Sequence, residues 1–189
     1  MIGLLTGHQL MVLPKNVPSM LKIAAFALVC GLISSGYAAD YTFKVICDDQ
    51  MTLWVDGEQT DVAGQGAWNQ MSTINIPSTT RVLGVKCVNT GGPYGIMGAL
   101  TDEDGNDVLV TDSSWSCSST ADEGWETADF REGDNWNPAY YYPNRNYVTN
   151  FGSWASMSVN RQIIWTDSAA ETTVYCRKVI QSPVLLEVA

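Results

Sequence analysis

Three groups of side chains in this chain could do chemistry: cysteines, clustered carboxylates and loop aromatics. The cysteines are Cys47, Cys87, Cys117 and Cys176, with a fifth, Cys30, in a leader that also holds the only histidine, His8. An even number of thiols in an exported chain implies two disulfides. A redox or metal-binding thiol set is disfavoured, because there is no Cys-x-x-Cys spacing and no histidine after the leader. Three pairings are open. Cys47 and Cys87 each end a strand-like run on its apolar face, so they can bridge if those two strands are sheet neighbours. Cys117 is then left with Cys176, which would pin the irregular stretch 116–160 to the last strand.

The densest carboxylate cluster is Asp102-Glu103-Asp104-Gly105-Asn106-Asp107. Asp102, Asp104 and Asn106 are oxygen ligands of the kind calcium takes. The run is short and has no loop-closing bidentate glutamate. Asp-Gly also suits a hairpin turn through its positive φ, and a plain turn is the expectation for this run. A glycosidase carboxylate pair can be picked from 20 acids without any spacing to single it out. No nucleophile-elbow motif is present, and histidine-based catalysis has no histidine to use. The expectation is therefore of no catalytic residues, no metal and no obligatory cofactor.

The aromatics carry more information. Trp54, Trp115 and Trp165 lie in strand-like runs and are expected in the core. Trp68, Tyr94, Trp136, Tyr140, Tyr141 and Tyr142 lie in loops or irregular segments. Rings exposed beside polar groups can stack on the apolar faces of sugars, while Asp and Asn take the hydroxyls. These six are the carbohydrate-binding candidates. The competing reading is that they plug the ends of the fold. Three consecutive tyrosines cannot all face inward on one strand, so at least one should be exposed.

The elements that must position these groups begin after a leader. Met20-Leu21-Lys22, an apolar run from Ile23 to Ile33 and Gly36-Tyr37-Ala38-Ala39 form a secretory signal peptide, with Met20 as the expected start and cleavage after Ala38 or Ala39. The apolar run is shorter than the roughly 20 residues that span a bilayer. The domain plan is thus a leader over 1–38 and one domain over 40–189. From Asp40 onward there are 8 basic and 20 acidic side chains, hence a formal charge of −12. That surface repels phosphate backbones, which excludes nucleic acid and disfavours anionic membranes. A glycan or an extracellular protein is the expected partner, and the expected location is extracellular.

Within the domain, Tyr41, Phe43, Val45 and Cys47 alternate onto one face, as do Leu83, Val85 and Cys87. The stretch from Cys47 to Glu58 reads as a strand end, an acidic turn at Asp48-Asp49, a second strand over Met51–Val55 and a tight Asp56-Gly57 turn. Further strands are expected over 72–76, 95–101, 108–111, 162–165 and 172–179. Small residues at Gly95, Gly98 and Ala99 allow a neighbour to approach closely. No segment of ten residues keeps a helical period. Many short strands with frequent turns mean an all-β fold, a single β-sandwich or jelly roll with two disulfides.

The order of motifs resembles galactose-binding-like jelly-roll domains, the accessory modules of α-rhamnosidases, β-galactosidases and related secreted glycosidases. The resemblance runs from Asp48-Asp49 and Leu53-Trp54-Val55-Asp56-Gly57 to Thr111-Asp112-Ser113-Ser114-Trp115. It continues through Gly124-Trp125, Asp129-Phe130, Asn135-Trp136 and Ala139 to Ile163-Ile164-Trp165 and Val174-Tyr175-Cys176-Arg177-Lys178. The Ile163–Trp165 element often opens such modules and here closes the chain, and the cysteines are not a family feature. The resemblance implies a jelly-roll fold, a non-catalytic sugar-binding role and, in some members, a structural calcium. It implies no universal ligand residues. The functional expectation is a secreted, non-catalytic carbohydrate-binding protein. Its alternatives are a structural or adhesive extracellular protein, and a glycoside-active enzyme.

Overall fold

A computed structural model describes residues 40–61, 68–142, 152–156 and 161–180, all within one compact unit. The leader with its signal peptide lies outside the described residues. In chain order the strands are β1 (Asp40–Asp48), β2 (Gln50–Val55), β3 (Glu58–Thr60), β4 (Ser72–Pro77), β5 (Val82–Val88), β6 (Gly95–Thr101), β7 (Asp107–Val110) and β8 (Ser116–Ser118). They continue with β9 (Asn137–Pro138), β10 (Tyr140–Tyr141), β11 (Ile164–Trp165) and β12 (Thr173–Val179). One five-residue helix, α1 (Gly152–Ser156), precedes β11.

The strands form two antiparallel sheets. The first runs β4-β1-β6-β11-β10, with β7 also paired to β6; the second runs β3-β2-β5-β12-β8-β9. The fold is an all-β sandwich. Its core is built by the alternation that the sequence displays. Phe43, Val45 and Cys47 of β1 meet Leu83, Val85 and Cys87 of β5, with Met51 and Leu53 of β2, Ile96 and Leu100 of β6, Trp115 and Trp165 between them. Burying a side chain of this size contributes about 1.5–3 kcal/mol, so this shared interior is the main force joining the sheets.

The stretch from Cys47 to Val55 departs from expectation. β1 and β2 do not form a hairpin with each other. β1 belongs to the first sheet and β2 to the second, so Asp49 is where the chain crosses the sandwich. The hairpin is β2–β3, closed by Asp56 and Gly57 at φ 51° and 90°, the left-handed pair that such two-residue turns require. Both turn acids reach β5. Asp49 accepts the Thr90 N–H (2.8 Å) and the Thr90 hydroxyl just past its end. Asp56 Oδ1 accepts the N–H groups of Arg81 (2.8 Å) and Val82 (2.9 Å) at its start.

The disulfides are Cys47–Cys87 and Cys117–Cys176. The first pairing is as expected, but its strands are not sheet neighbours. β1 and β5 face each other across the core, so this bridge ties sheet to sheet. The second joins Cys117 to its registered partner Cys176 on adjacent strands β8 and β12.

Each sheet also has a covered outer face. On the second sheet, Gly84 lies between its registered partners Trp54 and Arg177, and Trp125 lies edge-on to the Trp54 and Tyr175 rings at 5.1 and 5.4 Å. A Cβ at position 84 would stand 3.1 Å from the Trp125 ring. Trp136 stacks on Trp125 and meets Phe130 edge-on. Trp54 is therefore half-buried on this outer face rather than in the core between the sheets. On the first sheet, Ile46 and Met97 are capped by Trp154 of α1 and by Ile163.

Candidate functional site

After Asn137 and Pro138 the chain leaves the second sheet and joins the first at Tyr140. Ala139, buried at the crossing, donates its N–H to the Trp115 carbonyl at 2.8 Å. This places β9 and β10 at the same edge of the sandwich. β8 pairs with β9 at Cys117–Asn137, and β10 pairs with β11 at Tyr140–Trp165. The loop from Thr166 to Glu171 then passes along that edge towards β12. The result is a pocket of about 190 Å³ bounded by Ser118 and Ser119, by Asn135, Asn137 and Pro138, by Tyr140, and by Thr166, Asp167, Ser168 and Glu171. The Cys117–Cys176 bridge anchors this wall.

Some of these polar groups are held by the protein. The Asn135 amide donates to Ser118 Oγ, to Thr120 Oγ1 at 2.9 Å and to Asp122 Oδ2 at 3.0 Å. Asp122 also accepts from the Trp136 indole N–H at 3.1 Å. The bonds from Asn135 and then from Trp136 hold the Asp122 carboxyl below the usual carboxylate range. The side chains of Asn137, Asp167 and Glu171, by contrast, have no hydrogen bond or ion pair among the described residues. Polar groups lining a concavity without internal partners are hydrated in the free protein. They can exchange that water for the hydroxyls of a ligand.

The six aromatic candidates separate. Tyr140 is 51% exposed and forms a wall of the pocket. Tyr94 and Tyr142 are half-buried against each other at 4.5 Å, with Tyr94 also 5.1 Å from Trp165. Burial, and then the neighbouring Tyr142 and Tyr140 phenols, raise the Tyr94 hydroxyl above its ordinary pKa. Tyr141 is 47% exposed but does not line the pocket. Trp68 is 37% exposed, and its carbonyl accepts the Trp154 indole N–H. Trp136 is a correction: at 6% exposure, under Trp125 and Phe130, it is a packing residue with no ring face to offer.

The calcium candidates form a turn. Asp102 Oδ1 accepts the N–H groups of Asp104 (3.1 Å) and Asn106 (2.8 Å), and its Oδ2 accepts the Asn106 amide. The Asn106 side chain, then its backbone N–H, lower the Asp102 pKa. No group of three or more metal-ligating side chains is found among the described residues.

Sequence reasoning missed Asn135, Asn137, Asp167 and Glu171. They lie on separate segments, and only the pairing of β8 with β9 and of β10 with β11 brings them to one edge. The available signal was thin: polar turn residues flanking the tyrosine run and preceding the last strand. No helix among the described residues is long and apolar enough to cross a membrane. No family model, curated protein or solved structure matches the chain.

Proposed function

We propose that this chain is a secreted, non-catalytic carbohydrate-binding β-sandwich whose sugar site is the pocket beside Tyr140. The observation that carries the reading is an exposed tyrosine ring next to three polar side chains without internal partners, Asn137, Asp167 and Glu171. An apolar ring face and unengaged hydrogen-bonding groups around it match the two sides of a sugar. A volume of about 190 Å³ is below the roughly 300–1,000 Å³ of drug-sized sites, which suits a single sugar ring with the rest of a chain in solvent.

The secreted half of the reading rests on the disulfides, which suit an oxidising compartment, and on the signal-like leader. The non-catalytic half rests on composition: no histidine follows Asp40, and all four cysteines after it are bridged. A glycan array followed by calorimetry on the hits tests the whole. Binding that is lost in Tyr140→Ala and kept in Tyr141→Ala supports the pocket. Silence across the array, with self-association in solution, would favour a structural or adhesive role. Turnover of any glycoside would make the protein an enzyme.

A further inference from the structure

The pocket beside Tyr140 has a one-sided charge. Asp167 and Glu171 bring two carboxylates to its wall, and no lysine or arginine lines it. Four of the eight basic side chains after Asp40 are engaged elsewhere: Arg177 with Glu132, Arg161 with Asp107, Arg81 with Asp129, and Lys178 with Ser114. The rest of the domain adds to the same sign, with 8 basic against 20 acidic side chains from Asp40 onward. A concave site lined by one sign of charge focuses that field on whatever enters it. Carboxylated or sulfated sugars are repelled, neutral sugars are indifferent to it, and a cation is drawn in. The face of the Tyr140 ring is attractive to the same cation.

We infer that the ligand is a glycan bearing free primary amines, a 2-amino-2-deoxy sugar in its ammonium form, with the ammonium group taken by Asp167 and Glu171 and the ring laid on Tyr140. This inference rests on the pocket being the sugar site. An ammonium group offers three donors and no acceptor. Acetylating the amine removes the charge and keeps the ring, so the acetylated sugar isolates the charge effect.

The experiment is calorimetry on the purified protein with three tetrasaccharides: glucosamine, N-acetylglucosamine and galacturonate. The titrations are run at about pH 6, where much of the sugar amine is protonated. The glucosamine tetramer should bind about fivefold tighter than the acetylated one, the size expected of two solvent-exposed charge pairs. Galacturonate should give no binding heat. Asp167→Asn with Glu171→Gln should bring the two affinities together. Glu103→Gln with Asp104→Asn, on the exposed β6–β7 turn, should leave the preference in place. Equal affinity for the amine and acetylated tetramers in the native protein would overturn this inference and leave the sugar site standing. A preference lost equally in the Glu103/Asp104 variant would also overturn it, because the attraction would then come from overall charge. No binding of any of the three would overturn this inference, and silence across the glycan array as well would overturn the sugar site.

Discussion

Arg177 donates from Nη1 to Glu132 Oε1 over 2.6 Å, from a side chain that is 2% exposed. The same guanidinium donates from Nε to the Trp125 carbonyl and from Nη2 to the Thr127 carbonyl, each at 2.8 Å, and lies over the Phe130 ring. One arginine on β12 thus fastens the irregular segment around Trp125 to the outer face of the second sheet. The planar fork suits three acceptors at once in a way that a lysine ammonium does not.

Arg177→Met should therefore cost about 3–5 kcal/mol in chemical denaturation, because Glu132 loses its charged partner and keeps only the Ser116 hydroxyl, the Trp125 carbonyl loses its donor, and the Thr127 carbonyl is left with the longer bond from the Phe130 N–H. Arg177→Lys should recover only part of it. Tryptophan fluorescence should report loosening around Trp125 and Trp136 in both variants.

Gly95 is held by a steric limit. A Cβ there would come within 2.3 Å of Ile163 Cγ2. Gly95→Ala should cost about 1–3 kcal/mol by overpacking. In an Ile163→Ala background, where that methyl is gone, the added cost of Gly95→Ala should shrink but not vanish, because position 95 keeps its φ of 157°, which L side chains rarely adopt. A double-mutant cycle by urea denaturation measures this coupling.

The two disulfides enclose sequence separations of 40 and 59 residues. In the chain-entropy model each stabilises the fold by about 4 kcal/mol. Cys47→Ala with Cys87→Ala should lower the melting temperature by loosening sheet from sheet. Cys117→Ala with Cys176→Ala should act more on the pocket wall, and should weaken sugar binding before it unfolds the sandwich. Non-reducing peptide mapping checks the pairing, and melts with calorimetry separate the two effects.

The Asp122 carboxyl is held below its ordinary range by its bonds from Asn135 and Trp136. A depressed folded-state pKa contributes stability above the unfolded value of about 3.9, and that stability is lost as pH falls through the folded value. Stability should therefore drop in the acid region at and below ordinary carboxylate pKa values. Asp122→Asn should flatten part of that dependence in thermal melts across the acid range. Asp102, lowered chiefly by Asn106, should contribute to the same slope, so some dependence should remain in the variant.

What the sequence determined by itself was local. Period-two alternation showed which faces of β1 and β5 point inward, because side-chain direction along a strand is set by the pleat alone. Asp56-Gly57 announced a tight turn, because few residue pairs tolerate its dihedrals. The cysteine count and strand positions pointed to the observed disulfide pairs. The tertiary structure decided which strand lies beside which. It set Cys47 and Cys87 in opposite sheets rather than on neighbouring strands, and it made the acidic turn at Asp48-Asp49 a crossing from one sheet to the other. It also decided which loop aromatics see solvent. Trp136 and Tyr140 sit four positions apart in similar surroundings, yet one is covered by Trp125 and Phe130 and the other stands open beside Asn137 and Asp167. Exposure of a side chain in an irregular segment depends on what packs over it. Trp125 and Phe130 are near Trp136 in the chain, but they are held over it by contacts with Gly84 and Arg177 of the second sheet, so the covering is settled only when that sheet forms.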